Sequence, residues 1–199
     1  WQPGRGDIAV GGGTTPTMTI AVENEGLVLA PAAGETWTLG TTVSGEGGVV
    51  NRGEGTLKLT ADKVQFTGRI GAESGVLDLD DQEYASRVVV PGGSIRNGTL
   101  TSPTFSVGLD ADSQAERQIV LTDTDGLVLS GRVRVDFGRT EENPIVLPSD
   151  PIVIGTYSGA APDVSGWKLV GTGLKGVGGT FAAAGGQIVV TPEYRGLML

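Results

Sequence analysis

The feature that most constrains this fold is the stretch from Gly47 to Leu79, in which very short apolar segments alternate with glycine. In Thr56–Thr60 the leucines alternate with polar residues, which predicts a strand with one buried and one exposed face. Further short strands are predicted at Val49–Val50, Val64–Thr67 and Gly75–Leu79. Strands this short, which turn on glycine every few residues, favour the successive coils of a parallel β-solenoid over long hairpins.

The same alternation predicts the core and the corners of this stretch. The side chains expected to be mostly buried are Val49, Leu57, Leu59, Val64, Phe66, Ile70, Val76 and Leu77. The glycine-bearing corners are expected at Arg52–Gly55, at Gly68 and at Gly71–Gly75. The acidic segment Asp80–Ser86 is the most helix-tolerant part of the chain, with an acidic loop as the alternative.

The whole chain is predicted to be all-β, because glycine or β-branched residues interrupt every candidate helix. We expect a right-handed parallel β-solenoid with a C-terminal β cap, and the alternative is an antiparallel β-sandwich. The predicted divisions are a lead-in with a possible exchanged strand at 1–22, a solenoid at 23–143, and a cap packed on the solenoid at 144–199. The last boundary rests on Pro144–Pro151, because its prolines cannot donate to a central sheet.

Three segments carry a family resemblance: Gly47-Gly48-Val49, Gly53-Glu54-Gly55-Thr56-Leu57-Lys58-Leu59 and Phe66-Thr67-Gly68. They resemble the autotransporter-associated β-strand repeat, which reads GG-aliphatic, K-x-G-x-G-T-L-x-L and then aromatic-T-G. Arg52 stands where Lys or Thr is usual, and Val64-Gln65-Phe66 replaces the common N-T-Y. The resemblance covers roughly a sixth of the chain. It implies a secreted β-helical passenger-type protein and names no activity.

Composition excludes several classes of function. The chain has no Cys and no His, so a disulfide framework, a zinc-thiolate site and a Ser-His-Asp triad are impossible. The net charge of −9 argues against nucleic acid and against an anionic membrane surface as partners. No apolar run approaches the ~20 residues of a membrane-spanning helix, so no membrane insertion is expected. The start at Trp1 rather than Met predicts that a leader has been removed. The resemblance to the autotransporter-associated β-strand repeat implies a secreted, extracellular or cell-surface location.

One acidic segment is a candidate calcium (Ca2+) site. Asp110, Asp112 and Glu116 place carboxylates at alternate positions of a short loop, and Asp123 or Asp125 could join them. Calcium prefers several oxygen ligands of this kind. The alternative is a solvated acidic loop, because the segment lacks the glycine and the terminal glutamate of an EF-hand loop. No other cofactor is expected.

The sequence offers little equipment for catalysis. Asp78 and Asp80 would share one strand face, as paired carboxylates do in β-helical glycosidases. No clear sugar-stacking aromatic lies nearby in the sequence, so we expect a protein that is not an enzyme. The leading function is a secreted structural protein, a self-assembling subunit of an extracellular fibre, sheath or matrix. The alternatives are an adhesin or glycan-binding module and a polysaccharide-degrading enzyme.

Both ends of the chain are candidates for assembly by strand addition. The apolar residues concerned are Ile8, Val10, Met18, Ile20 and Val22 near the N-terminus, and Leu197, Met198 and Leu199 at the C-terminus. Either segment could add as a strand to a neighbouring copy, which predicts a homo-oligomer or polymer with head-to-tail contacts. The alternative is that both segments fold back and cap their own chain.

Overall fold

The computed structural model of the protein describes residues 20–21, 26–40, 43–45, 47–60, 65–66, 68–85, 87–90, 92–109, 115–121, 126–138, 147–171 and 176–194. All regular secondary structure in these ranges consists of β-strands, which confirms the all-β class for this part of the chain. No helix in these ranges could span a membrane.

The strands are short and follow one another closely along the chain. In chain order they are β1 (Ile20–Ala21), β2 (Leu27–Leu29), β3 (Thr36–Leu39), β4 (Val43–Gly45), β5 (Val49–Asn51), β6 (Thr56–Leu59), β7 (Gln65–Phe66), β8 (Arg69–Ala72), β9 (Val76–Tyr84), β10 (Arg87–Val89), β11 (Ser94–Thr101), β12 (Thr104–Ser106), β13 (Gly108–Leu109), β14 (Ala115–Arg117), β15 (Ile119–Leu121), β16 (Leu127–Ser130), β17 (Arg134–Asp136), β18 (Ile152–Tyr157), β19 (Lys168–Val170), β20 (Val177–Ala184) and β21 (Gln187–Tyr194).

Three of the sheets are parallel. A seven-stranded sheet has the spatial order β19-β17-β12-β10-β8-β5-β2, a five-stranded sheet the order β16-β11-β9-β6-β3, and a three-stranded sheet the order β1-β4-β7. The C-terminal four-stranded sheet, β15-β18-β21-β20, is antiparallel except where β15 pairs with β18. The antiparallel sandwich therefore does not describe the two larger sheets.

The chain visits the parallel sheets in a fixed order. From β1 to β9 it passes through the three-stranded, the seven-stranded and the five-stranded sheet three times in succession. Leu27 pairs in register with Val49, and Val49 pairs with Ile70, so equivalent positions recur about every 20 residues. Each strand therefore lies beside the equivalent strand of the preceding passage.

Register aligns the apolar side chains into internal columns. One column of the seven-stranded sheet consists of the buried residues Leu27, Val49, Ile70, Val88, Phe105 and Val135. The predicted burial of Val49, Leu57, Leu59, Ile70 and Leu77 is confirmed. Val76 is only half-buried, because it occupies an outward-facing position between Thr56 and Ser94. The side chains of Val64 and Phe66 lie outside the described part of the chain.

Glycine allows the corners of successive passages to stack closely. A Cβ added to Gly55 would lie 2.3 Å from the carbonyl oxygen of Ala32 in the preceding passage. A Cβ on Gly48 would lie 1.7 Å from the carbonyl oxygen of Arg69 in the following one. Real Cβ atoms do not approach backbone oxygens this closely, so these corners require glycine.

A buried asparagine closes the corner after β5. Asn51 is completely buried, and its Nδ2 donates to the carbonyl oxygens of Gly55 at 3.0 Å and Val76 at 2.9 Å. Its Oδ1 accepts a hydrogen bond from the Gly53 amide at 2.9 Å. One side chain thereby satisfies polar backbone groups of its own corner and of the strand stacked on it.

Two further expectations from the sequence are wrong. The segment from Asp80 to Tyr84 is neither helix nor loop but the continuation of β9, where Tyr84 pairs with Leu100. The strand bends at Asp80 and Asp81, whose φ angles of 49° and 61° lie in the left-handed region that Asp and Asn tolerate best after glycine. In the second case, β8 occupies Arg69–Ala72, so Gly71 belongs to a strand and not to a corner. In both places parallel pairing overrides local propensity.

Candidate functional site

Three side chains of alternating charge stand side by side on the five-stranded sheet. Lys58 pairs in register with Asp78, and Asp78 pairs with Arg96 on the next strand. We call Lys58, Asp78 and Arg96 the alternating column. Because neighbouring strands are about 4.8 Å apart, each charge lies beside one of opposite sign, which stabilises the strand pairing.

Asp78 is the most buried member of this column, with 8% of its surface exposed. Its Oδ2 accepts from Arg96 Nε at 3.1 Å, and its Oδ1 accepts from Asn97 Nδ2 at 3.1 Å and from the Asp80 amide at 3.0 Å. Burial alone would raise the pKa of this carboxyl, but the hydrogen bonds from Asn97, Asp80 and Arg96 outweigh burial and lower it. Asp78 therefore remains ionised through the neutral range.

Asp80 is also paired with a cation. Lys58 Nζ lies 2.7 Å from Asp80 Oδ1, and this hydrogen bond raises the pKa of the lysine. A general acid needs a carboxyl whose pKa is raised toward neutrality, which is the opposite of what Asp78 experiences. As a base, Asp78 would have to give up donors that already occupy both of its oxygens. The pair that the sequence places on one strand face is thus arranged to hold strands together.

A groove of about 660 Å³ lies at the C-terminal end of the described chain. It lies where β19 of the seven-stranded sheet packs beside β20, and its walls include Lys168, Leu169, Gly179 and Glu193. Trp167 lines it but is only 3% exposed, because its ring packs between Phe105 and Phe181 at centroid distances of 5.8 and 5.9 Å. We call this feature the C-terminal groove.

The predicted calcium site falls mostly outside the described residues. Asp110, Asp112, Asp123 and Asp125 are not described, and Glu116 lies in β14 with no description of its side chain. Within the described ranges no group of metal-ligating side chains lies close enough together to hold an ion. The site stays a prediction. Bound calcium should raise the melting temperature by several degrees relative to a melt with chelator, and coincident curves would contradict the site.

The predicted assembly residues are described in one place only. Ile20 lies in β1, where it pairs with Val43 of the same chain. The remaining seven, Ile8, Val10, Met18, Val22, Leu197, Met198 and Leu199, lie outside the described residues. Their role in assembly stays a prediction.

Sequence reasoning missed the partners that give Asp78 and Asn51 their roles. Arg96 lies 18 residues after Asp78, and Val76 lies 25 residues after Asn51. These separations are close to one passage around the sheets, so a repeat length of about 20 residues was the one available signal.

Comparison with known proteins adds no relative. No protein-family model, no curated protein and no solved structure matches the chain. The resemblance of residues 47–68 to the autotransporter-associated β-strand repeat therefore stays a prediction, and the interpretation of function rests on the geometry of the sheets.

Proposed function

We propose that this protein is a secreted structural protein, a right-handed parallel β-solenoid whose copies join head to tail into an extracellular fibre, sheath or matrix. The regular passage of the chain through three parallel sheets supports the solenoid. The resemblance of residues 47–68 to a repeat of secreted passenger proteins supports the location outside the cell.

The observation that supports self-assembly is that β19 is an edge strand of the seven-stranded sheet, with backbone polar groups on its outer side. The Lys168 amide donates to the Val133 carbonyl oxygen at 3.1 Å, so the polar backbone groups of Lys168 face β17. Because these groups alternate along a strand, the N–H and C=O of Leu169 face the opposite side, which the C-terminal groove borders. Among the described strands, none pairs with that side of β19.

A second copy can continue the sheet at this edge. The sheet is parallel from β2 to β19, so the N-terminal side of another copy can approach β19 in the same strand direction. Backbone hydrogen bonds would supply the affinity, as in other cases of strand addition. The two surfaces differ, so the contact is heterologous and propagates into a filament.

The same structure gives less support to the two alternative functions. A platform that stacks neutral sugar rings uses several exposed aromatic side chains, whereas Trp167 is buried and the half-buried Trp37 donates its indole N–H to Glu35 at 3.0 Å. Tyr194 is the one large aromatic side chain exposed among the described residues. A glycosidase needs carboxylates free to exchange protons, whereas Asp78 and Asp80 each hold a cation. Structural assembly by strand addition needs only the parallel sheet and its edge strand β19, which the chain has.

A matched pair of substitutions in β19 tests the proposal. Leu169→Pro removes the outward N–H, whereas Leu169→Ala removes the same packing and keeps that donor. We expect light scattering and negative-stain microscopy to show polymers for wild type and Leu169→Ala but not for Leu169→Pro, with similar melting temperatures for the two variants. Deletion of Trp1 to Val22, or of Gly196 to Leu199, then identifies the segment that adds.

Two results would reject this function. One is wild-type protein that stays monomeric at high concentration with both termini protected from proteolysis. The other is a Leu169→Pro variant that folds and polymerises as wild type does.

A further inference from the structure

The outer face of the seven-stranded sheet carries a second column of charges, and all of them are positive. Arg69 pairs in register with Arg87, Arg87 with Thr104, Thr104 with Arg134, and Arg134 with Lys168. The first four of these residues each precede a member of the internal column, and Lys168 precedes Leu169, which pairs in register with Val135, so their side chains point outward. We call Arg69, Arg87, Arg134 and Lys168 the basic column.

This column contrasts with the one on the neighbouring sheet. In the alternating column every charge lies beside its opposite, whereas here Arg69 lies beside Arg87 and Arg134 beside Lys168. Like charges directly opposite each other on adjacent strands are destabilising. The chain as a whole carries a net charge of −9, so this column is a local concentration of positive charge on an acidic protein.

The column is only partly neutralised from within the chain. Arg87 forms an ion pair with Asp136, and Arg134 Nη1 donates to the carbonyl oxygen of Ser102 at 3.5 Å. For Arg69 and Lys168, no side-chain partner occurs among the described residues, and Lys168 is exposed. The two ends of the column therefore present cations that can accept an external anion.

We propose that the basic column binds an acidic polysaccharide laid across the strands, with its carboxylates or sulfates on Arg69, Arg134 and Lys168. The column crosses five adjacent strands and so extends over about 19 Å at ~4.8 Å per strand. A chain of sugar rings with regularly repeated anions can contact several of these cations at once, and each contact adds to the affinity. Of the proposed function, this inference needs only the extracellular location.

Charge and shape favour a polysaccharide over the other polyanions. Single-stranded nucleic acid is held by aromatic side chains on which its bases stack, and the outward positions of this column are Arg, Thr and Lys. The remaining candidate ligand is a second copy of this acidic chain. In that case the basic column would form part of the contact between copies in the polymer.

The test measures the binding of polygalacturonate and of dextran sulfate by calorimetry, with neutral dextran as the blank. The protein is the wild-type chain at a concentration where it is monomeric, so polymerisation does not interfere. Adding Arg69→Gln and Lys168→Gln should weaken binding about tenfold, since each substitution removes one charge contact. The matched control adds Arg52→Gln and Lys58→Gln, which change the net charge equally and lie off the column; it should bind nearly as before.

The outcomes separate this site from the proposed assembly. Binding of only one of the two polymers supports the site and identifies carboxylate or sulfate as the anion. Absence of binding at low salt, or equal weakening by the two double substitutions, overturns it. Tighter binding of oligothymidylate than of either polysaccharide also overturns it. In the wild-type background, loss of polymerisation on Arg69→Gln with Lys168→Gln would assign the column to a second copy instead.

Discussion

Replacing Asn51 with alanine tests how the glycine corners of this fold are held closed. The substitution deletes three hydrogen bonds, one buried and two part-buried, and loss of the bond from the Gly53 amide leaves that donor without its partner. The Gly55 carbonyl keeps a bond from the Val76 amide at 3.1 Å. An orphaned donor costs about 1–3 kcal/mol and each of the two further lost bonds about 0.5–1.5 kcal/mol, so the total is roughly 2–6 kcal/mol.

This loss is a large part of the stability of a domain, which is ~5–15 kcal/mol. In a chain of this size the loss corresponds to a fall in melting temperature of roughly 4–24 °C, measurable by calorimetry or by far-UV circular dichroism. Asn51→Asp is the matched control. It keeps the acceptor for Gly53 but turns a negative charge toward two carbonyl oxygens, so it should be the more damaging variant at neutral pH and recover partly in acid. An Asn51→Ala variant that melts within 1 °C of wild type would refute the reasoning.

Three further predictions concern single side chains. Leu57→Asp places a charge in a fully buried position of the core and should cost several kcal/mol; an unchanged melting temperature would mean that the register is wrong. The folded-state pKa of Asp78 is lowered, so its contribution to stability is present above the unfolded value and is lost as the pH falls through the folded one. Wild type should therefore lose more stability than Asp78→Asn between neutral pH and pH ~2, and parallel denaturation profiles would contradict this. Burial raises the pKa of Tyr84 to about 12, so stability should fall as the pH rises from ~10 toward that value, by roughly 2–3 kcal/mol in all. Tyr84→Phe should remove this alkaline loss, and a variant that keeps it would show that another group is responsible.

The parts of the fold that could be predicted are those determined by the local pattern of apolar, polar and glycine residues. The alternation of Leu57 and Leu59 with polar residues, and the glycines at 53 and 55, correctly indicated a strand and its corner. The continuation of β9 through Asp80 and Asp81 could not be predicted in this way. Two aspartates in succession normally favour a loop, and here they remain in a strand because β11 pairs with the residues that follow.

The candidate sites depend on which residues pair between neighbouring strands, and the local sequence does not determine this pairing. Asp78 and Arg96 become neighbours only once β9 and β11 are paired. The basic column is harder still to foresee, because the separation between its members varies from strand to strand, and Arg134 and Lys168 follow long excursions of the chain. A shift of one residue in any of these pairings would turn the charged side chains inward and destroy the column.

The step from β12 to β16 has a consequence for how such a protein can change over time. Between these strands the chain leaves the two large sheets and forms β13, β14 and β15. It then returns to the five-stranded sheet, where Leu129 of β16 pairs in register with Leu100 of β11. The buried columns of the core therefore tolerate inserted segments of different lengths between successive strands, provided that the returning strand keeps its pairing partner. Gene duplication could lengthen such a molecule one rung at a time, and foreign loops could be grafted at this excursion without redesign of the interior.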